Sequence, residues 1–158
     1  MLNNVGLDHA WIARHIPHQG RMCLLDHVEA WDEQGIRCCA SSHRAADNPL
    51  RAYDRLGAAC GIEYAAQAMA VHGALLAPPG SAGASVGYLV SVRGVQLHVP
   101  RLDNIVADLL VEATCITRSE NNILYRFSIS AADHLLLDGR AAVVLNADLL
   151  KPASGDVP

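Results

Sequence analysis

The sequence predicts an α+β domain in which an antiparallel sheet wraps one long apolar helix. Three observations point there. The run Leu56–Leu76 is rich in Ala, Leu and Met and has no internal proline, with Ile62, Ala66, Met69, Ala70 and Gly73 near a 3.6-residue period. The remaining apolar segments are strand-like and punctuated by Gly, Pro, Asn and Asp. The 158 residues are 51% hydrophobic and only 18% charged, which suits one core and excludes disorder over most of the length.

Taken in order, residues 1–20 are mixed and end in Ile16-Pro17-His18-Gln19-Gly20, a turn. Met22–Trp31 reads as a strand, Asp32-Glu33-Gln34-Gly35 as a turn and Ile36–His43 as the second strand of a hairpin. Residues 44–55 are polar and irregular. The helix Leu56–Leu76 is apolar around most of its circumference, so it belongs in a core, and Ala77-Pro78-Pro79-Gly80-Ser81-Ala82-Gly83 ends it as a flexible loop. Four strands follow: Val86–Val99, interrupted by Gly94; Ile105–Arg118; Ile123–Ala131 after an Asn121-Asn122 turn; and Leu135–Leu150, with a turn signal at Asp138-Gly139. Residues 1–150 form a single domain and 151–158 a loose tail. The order β-β-α-β-β-β-β is that of the hotdog fold, which is expected to be dimeric, two sheets joining at their edges and covering an exposed strand. The apolar excess implies further area to bury, in a subunit seam or an apolar channel.

A net charge of −4 without a basic run, and one Phe, two Trp and four Tyr, argue against a nucleic-acid partner. No apolar stretch approaches the ~20 residues of a membrane span, and no secretory signal is visible. Five cysteines, without a C-x-x-C, read as small hydrophobes in a reducing, cytoplasmic setting.

Glu63 is the most informative residue, an acid early in a helix otherwise almost free of charge. Burial is expected to raise its pKa, and a carboxyl kept near neutral can act as a general acid. Gln67 lies one turn on, on the same face, and could orient it, cap another buried polar group or contribute to substrate binding. Of the eight histidines, His18 sits between a proline and a strand start, and His98 precedes Val99-Pro100 near a strand end. His72 is nine residues beyond Glu63, on the opposite side of the helix. No zinc-ligand spacing, P-loop, nucleophile elbow or dinucleotide fingerprint occurs, so no metal site is expected.

The stretch Ile16-Pro17-His18-Gln19-Gly20-Arg21-Met22-Cys23-Leu24-Leu25-Asp26-His27-Val28, with Glu63-x-x-x-Gln67 on the helix, resembles the β-hydroxyacyl-ACP dehydratases of bacterial fatty-acid synthesis. Gly87-Tyr88-Leu89 and His98-Val99-Pro100 look more like a divergent branch encoded with aryl-polyene-type lipid biosynthesis clusters. The resemblance covers residues 12–150. It implies a 3-hydroxyacyl thioester carried on the phosphopantetheine arm of acyl carrier protein, converted to the trans-2-enoyl form. A histidine takes the α-proton and the helix carboxyl protonates the leaving hydroxyl. Backbone N–H groups of Ala58, Ala59 and Gly61 would bind the enolate-like oxygen. No metal or dissociable cofactor is needed, and hotdog chains pair as homodimers or as heterodimers with another hotdog subunit.

Two departures matter. The family's base lies in His-Phe-Pro-Gly before the helix, whereas here Asp47-Asn48-Pro49-Leu50-Arg51 holds no histidine. Its Met-Pro-Gly is replaced by Gly57-Ala58-Ala59. His18 is the favoured base, with His43 and His98 as alternatives. Besides a dehydratase, a hotdog acyl thioesterase and a non-catalytic acyl-ACP-binding or partner subunit fit these features. The most useful observation is which histidine nitrogen, counting both chains of a dimer, stands beside the Glu63 carboxyl. With none there the dehydratase reading weakens, while free carrier thiol without enoyl product would mark the thioesterase and binding without turnover the partner subunit.

Overall fold

In the computed structural model the chain runs as β1 (Leu2–Asn3), α1 (His9–His15), β2 (His27–Trp31), β3 (Gly35–Ala40), α2 (Gly61–Leu76), β4 (Tyr88–Leu97), β5 (Leu109–Arg118), β6 (Asn122–Ala131) and β7 (His134–Val144). The structure describes residues 2–3, 6–77 and 88–144. Most of the expected 77–83 loop, the start of the strand expected from Val86, the end of the one expected to Leu150, and the 151–158 tail lie outside them.

The strands form one antiparallel sheet in the order β1-β2-β3-β5-β6-β7-β4. Alternation sets its two faces. On β6, Ile123, Tyr125, Phe127, Ile129 and Ala131 are buried, while Asn122 and Arg126 are exposed. On β5, Leu109, Val111 and Ala113 turn inward. The helix α2 packs on β5, β3 and β6 and buries Tyr64, Ala65, Ala68, Met69 and Val71 in the same core. Each such side chain, fully buried, contributes roughly 1.5–3 kcal/mol for Val, Leu, Ile or Phe. A long helix wrapped by an antiparallel sheet is the hotdog arrangement that the element order predicted.

Several boundaries moved. The helix expected from Leu56 begins at Gly61, after a 3-10 turn at Ala58–Cys60. A glycine starts it because the sheet is close: a Cβ at Gly61 would lie 2.7 Å from Leu137 Cδ2 and 3.0 Å from Ile129 Cδ1. The first hairpin strand begins at His27 rather than Met22, because Gly20–Met22 form a 3-10 turn. Asp138-Gly139 is no turn. Strand β7 runs straight through it, and Gly139 makes room for the Phe127 ring, whose Cζ would stand 2.9 Å from an added Cβ. The β6–β7 reversal falls at Ala132-Asp133, between the two expected strands, both residues with positive φ (48° and 62°), the backbone of a tight two-residue hairpin.

Helix α1 had no counterpart in the sequence reading. Asp8 caps it, accepting the Trp11 N–H at 2.9 Å, and Ile12 is its buried anchor. It stops at His15 because Pro17 forces Ile16 into an extended conformation (φ −118°, ψ 158°). All five cysteines are free. Cys23 and Cys38 are buried as expected of small hydrophobes, but Cys39, Cys60 and Cys115 are only partly so.

Candidate active site

The end of α1 delivers Pro17 and His18 to the first turn of α2, with Gln19 Nε2 donating back to the Ala13 carbonyl at 3.1 Å. Gln67, fully buried, ties the following segment to the helix. Its Oε1 accepts the Leu24 N–H at 2.9 Å, and its Nε2 donates to the Met22 carbonyl at 2.6 Å and to Glu63 Oε1 at 3.3 Å. Held by this staple, His18 Nε2 stands 3.0 Å from Glu63 Oε1. The two side chains are 26% and 32% exposed, so the pair is sheltered yet open to a ligand.

The carboxylate is used unevenly. Oε1 meets both His18 and Gln67, whereas among the described residues no hydrogen-bond partner meets Oε2. His18 Nδ1 is buried without a partner. The expected rise of the Glu63 pKa is corrected by these contacts. The hydrogen bond from His18 lowers it most, burial opposes, and the Gln67 bond and the His18 charge lower it further, so the carboxyl lies below its ordinary value.

The other histidines are placed elsewhere. His43 is buried, with Nε2 3.0 Å from both the Ile105 and Ala107 carbonyls, and burial lowers its pKa. His98 is on the surface, 3.0 Å from Asp138 Oδ2. His72 is buried between the Tyr125 hydroxyl and the Asp32 carbonyl, each at 2.8 Å. The histidine nitrogen beside Glu63 is therefore His18 Nε2.

The turn before α2 offers fewer donors than expected. The Ala58 N–H bonds the Pro100 carbonyl at 3.2 Å, Cys60 bonds Gly57, and the Gly61 N–H is taken by the Ala58 and Ala59 carbonyls. Of the three expected donors only Ala59, which is exposed, is not engaged in the turn's backbone bonds. The segment that lacks the family's histidine has become structural. Asn48 Nδ2 donates to the Tyr64 hydroxyl at 3.1 Å and to the Ser42 carbonyl at 2.9 Å. Ser42 Oγ bonds the Tyr64 hydroxyl and donates to the Leu24 carbonyl, both at 2.7 Å. This network, which the sequence did not signal beyond the polar Asp47-Asn48, holds the Leu24 carbonyl of the same segment whose Leu24 N–H and Met22 carbonyl Gln67 holds.

Among the described residues no group of three His, Cys, Asp or Glu could hold a metal, and no helix is long and apolar enough to cross a membrane. An apolar groove of about 720 Å³ is lined by Val99, Ile105, Val106, Ala107 and Leu136, and neither His18 nor Glu63 lines it.

Comparison with known proteins adds the family. The fold is similar to the dehydratase heterocomplex ApeI:P from Xenorhabdus doucetiae, with a TM-score of 0.77 and 21% identity, covering 89% of this chain and 97% of that one. It is also similar to a thioesterase from Haemophilus influenzae (TM-score 0.55, 13% identity, 75% of this chain and 76% of that one). The PaaI protein of the E. coli phenylacetic acid degradation operon gives 0.58 and 11% over 86% and 88%. At these identities the likeness is one of fold. No match is found among curated proteins. Residues 10–152 match the family model described as ApeP-like, ApeP dehydratase. The chain belongs to the ApeP-like dehydratase family.

Proposed function

We propose that this chain dehydrates a 3-hydroxyacyl thioester carried on acyl carrier protein to the trans-2-enoyl thioester, in the making of an aryl-polyene-type or fatty chain. The observation that carries the reading is the 3.0 Å contact of His18 Nε2 with Glu63 Oε1, with Oε2 left open.

The chemistry follows from sharing one proton. In the empty site the lowered Glu63 pKa favours the carboxylate. An acyl chain entering the site displaces water, and a low-dielectric surrounding favours the neutral form of the pair, with the proton on Glu63 and a lone pair on Nε2. With substrate lodged between them, Nε2 takes the α-proton, made acidic by the thioester carbonyl. The Cα–H electrons become the Cα=Cβ bond. The Cβ–O bond breaks as Glu63 protonates the hydroxyl, and water leaves. Product release leaves His18 protonated beside the Glu63 carboxylate, the state of the empty site, and the proton passes back to Glu63 across the 3.0 Å contact as the next acyl chain displaces water. The Ala59 N–H is the backbone group available to the thioester oxygen while charge develops there.

A second hotdog subunit belongs to this reading, because β4 lies at one end of the sheet with Leu89, Val90 and Leu97 exposed. The likeness to a chain of the ApeI:P heterocomplex supports a heterologous partner, and a homodimer uses the same edge. The test is direct: the purified protein, alone and with a second hotdog subunit, is incubated with 3-hydroxyacyl-ACP and the carrier is weighed intact. Loss of one water supports the reading. Release of free carrier thiol would instead show a thioesterase, and unchanged substrate under both conditions a binding subunit.

A further inference from the structure

The face of the sheet turned away from α2 carries a charge pattern that dehydration does not use. In the ladder Arg93 of β4 lies directly opposite Arg140 of β7, and Arg140 directly opposite Arg126 of β6. Directly opposed residues share a face, so three arginines stand side by side on three adjacent strands. All three are exposed. Among the described residues none has an ion-pair or hydrogen-bond partner, although Arg21, Arg37, Arg44, Arg51 and Arg101 all pair with carboxylates.

Like charges directly opposite one another destabilise a sheet. The row is not a by-product of a basic protein, since the chain carries a net charge of −4. Nearby acids do not neutralise it: Asp138 is engaged by His98 and Glu112 by Arg37. Beside the row lies a cleft of about 680 Å³, lined by Arg126 and Arg140 with Thr114 and Ser128, and also by the carboxylates of Glu112 and Asp138, each already paired with a cationic or imidazole side chain, and by Gln96. That volume is of small-molecule size.

We propose that the Arg93–Arg140–Arg126 row and the cleft beside it bind the diphosphate group of a soluble small-molecule ester. Strands are about 4.8 Å apart, so the outer arginines start roughly 10 Å from each other and their long side chains converge on one polyanionic group. Guanidinium groups bind phosphate oxygens in bidentate fashion. The hydroxyls of Thr114 and Ser128 and the Gln96 amide supply neutral contacts for the rest of the molecule. The concave cleft favours such a ligand over a flat acidic protein surface.

The test is calorimetric titration of the full chain with ADP, pyrophosphate and adenosine, the last lacking phosphate. ADP and pyrophosphate bind and adenosine does not. R126Q and R140Q each weaken binding about tenfold, the scale of one charge-assisted hydrogen bond. R140Q also raises the thermal midpoint of the empty protein, because it removes the repulsion at the centre of the row, and pyrophosphate raises the midpoint of the wild type more than that of the variant. No binding by either phosphate compound overturns the proposal, as does binding that R126Q and R140Q leave unchanged. Equal binding of adenosine and ADP overturns the phosphate assignment. Dehydration of acyl-ACP by R140Q is a separate readout, so failure of this surface and failure of the His18–Glu63 reading are distinguishable.

Discussion

Among the described residues, two histidine–carboxylate pairs have the same length. His18 and Glu63 meet at 3.0 Å, and so do His98 and Asp138. Their exposures overlap, 26% and 32% for the first pair and 40% and 34% for the second. What differs is the support. The first joins a helix to a segment 45 positions away and is clamped by a buried glutamine bonded to two backbone groups and to the acid itself. The second bridges a residue just past β4 and one on β7, on the open face of the sheet, with no comparable clamp. Contact distance alone does not set the first pair apart; its rigid, buried backing does.

The largest effect expected from this contrast is on turnover. H18A and E63Q each lower dehydration of 3-hydroxyacyl-ACP at least a hundredfold, the low end of what a positioned acid or base supplies. H98A and D138N leave it within about twofold, as surface substitutions do. Steady-state rates on the four purified variants check this, and a reversed ranking would break the comparison.

Making the first pair resemble the second is the next step. Q67A leaves the Leu24 N–H and the Met22 carbonyl without their buried partner, which costs about 1–3 kcal/mol of stability. It also frees His18 to move relative to Glu63. Urea unfolding measures the first effect and kcat at saturating substrate the second. A variant that loses stability but keeps full turnover per folded molecule would show that the clamp serves the fold alone.

The smallest expected effect is a titration. Glu63 titrates below the usual carboxylate value, and in H18A it moves up, because the main lowering contact is gone and burial remains. Carboxyl-carbon NMR follows both. The sign carries into stability: a lowered folded pKa contributes stability that is present above the unfolded value and lost as pH falls through the folded one, so H18A weakens this acid-side loss. His43 and His72, both lowered by burial, act at higher pH. Above their usual value near 6.5 neither state is protonated. Below it the unfolded chain takes up protons first, so stability declines as pH falls through the window beneath 6.5.

How much of this was legible in the sequence depended on range. The helix, both hairpin strands and the later strands follow from local periodicity, and Glu63 stands out against its neighbours. The error at Asp138-Gly139 came from reading a glycine as a turn when it is a seat for an aromatic ring on the next strand. The direction of the Glu63 shift was misjudged because burial is visible in composition while a partner 45 positions away is not. The Ala58 N–H was lost to Pro100 for the same reason, a contact across 42 positions. Short α1 escaped notice because its signals, an aspartate cap and one buried isoleucine, are weak until the sheet is in place.

The Asn48–Tyr64–Ser42 network has a consequence for how this scaffold can be altered. The loop before the helix, where the resembled dehydratases would carry their base, here serves as bracing, and the base proposed above, His18, lies on the loop after α1 instead. A histidine placed at position 48 would therefore arrive where a tyrosine hydroxyl and a serine carbonyl already depend on an amide, and would loosen that bracing rather than supply a base. Designers who graft chemistry between members of this fold should move the loop together with its bracing, not the single residue.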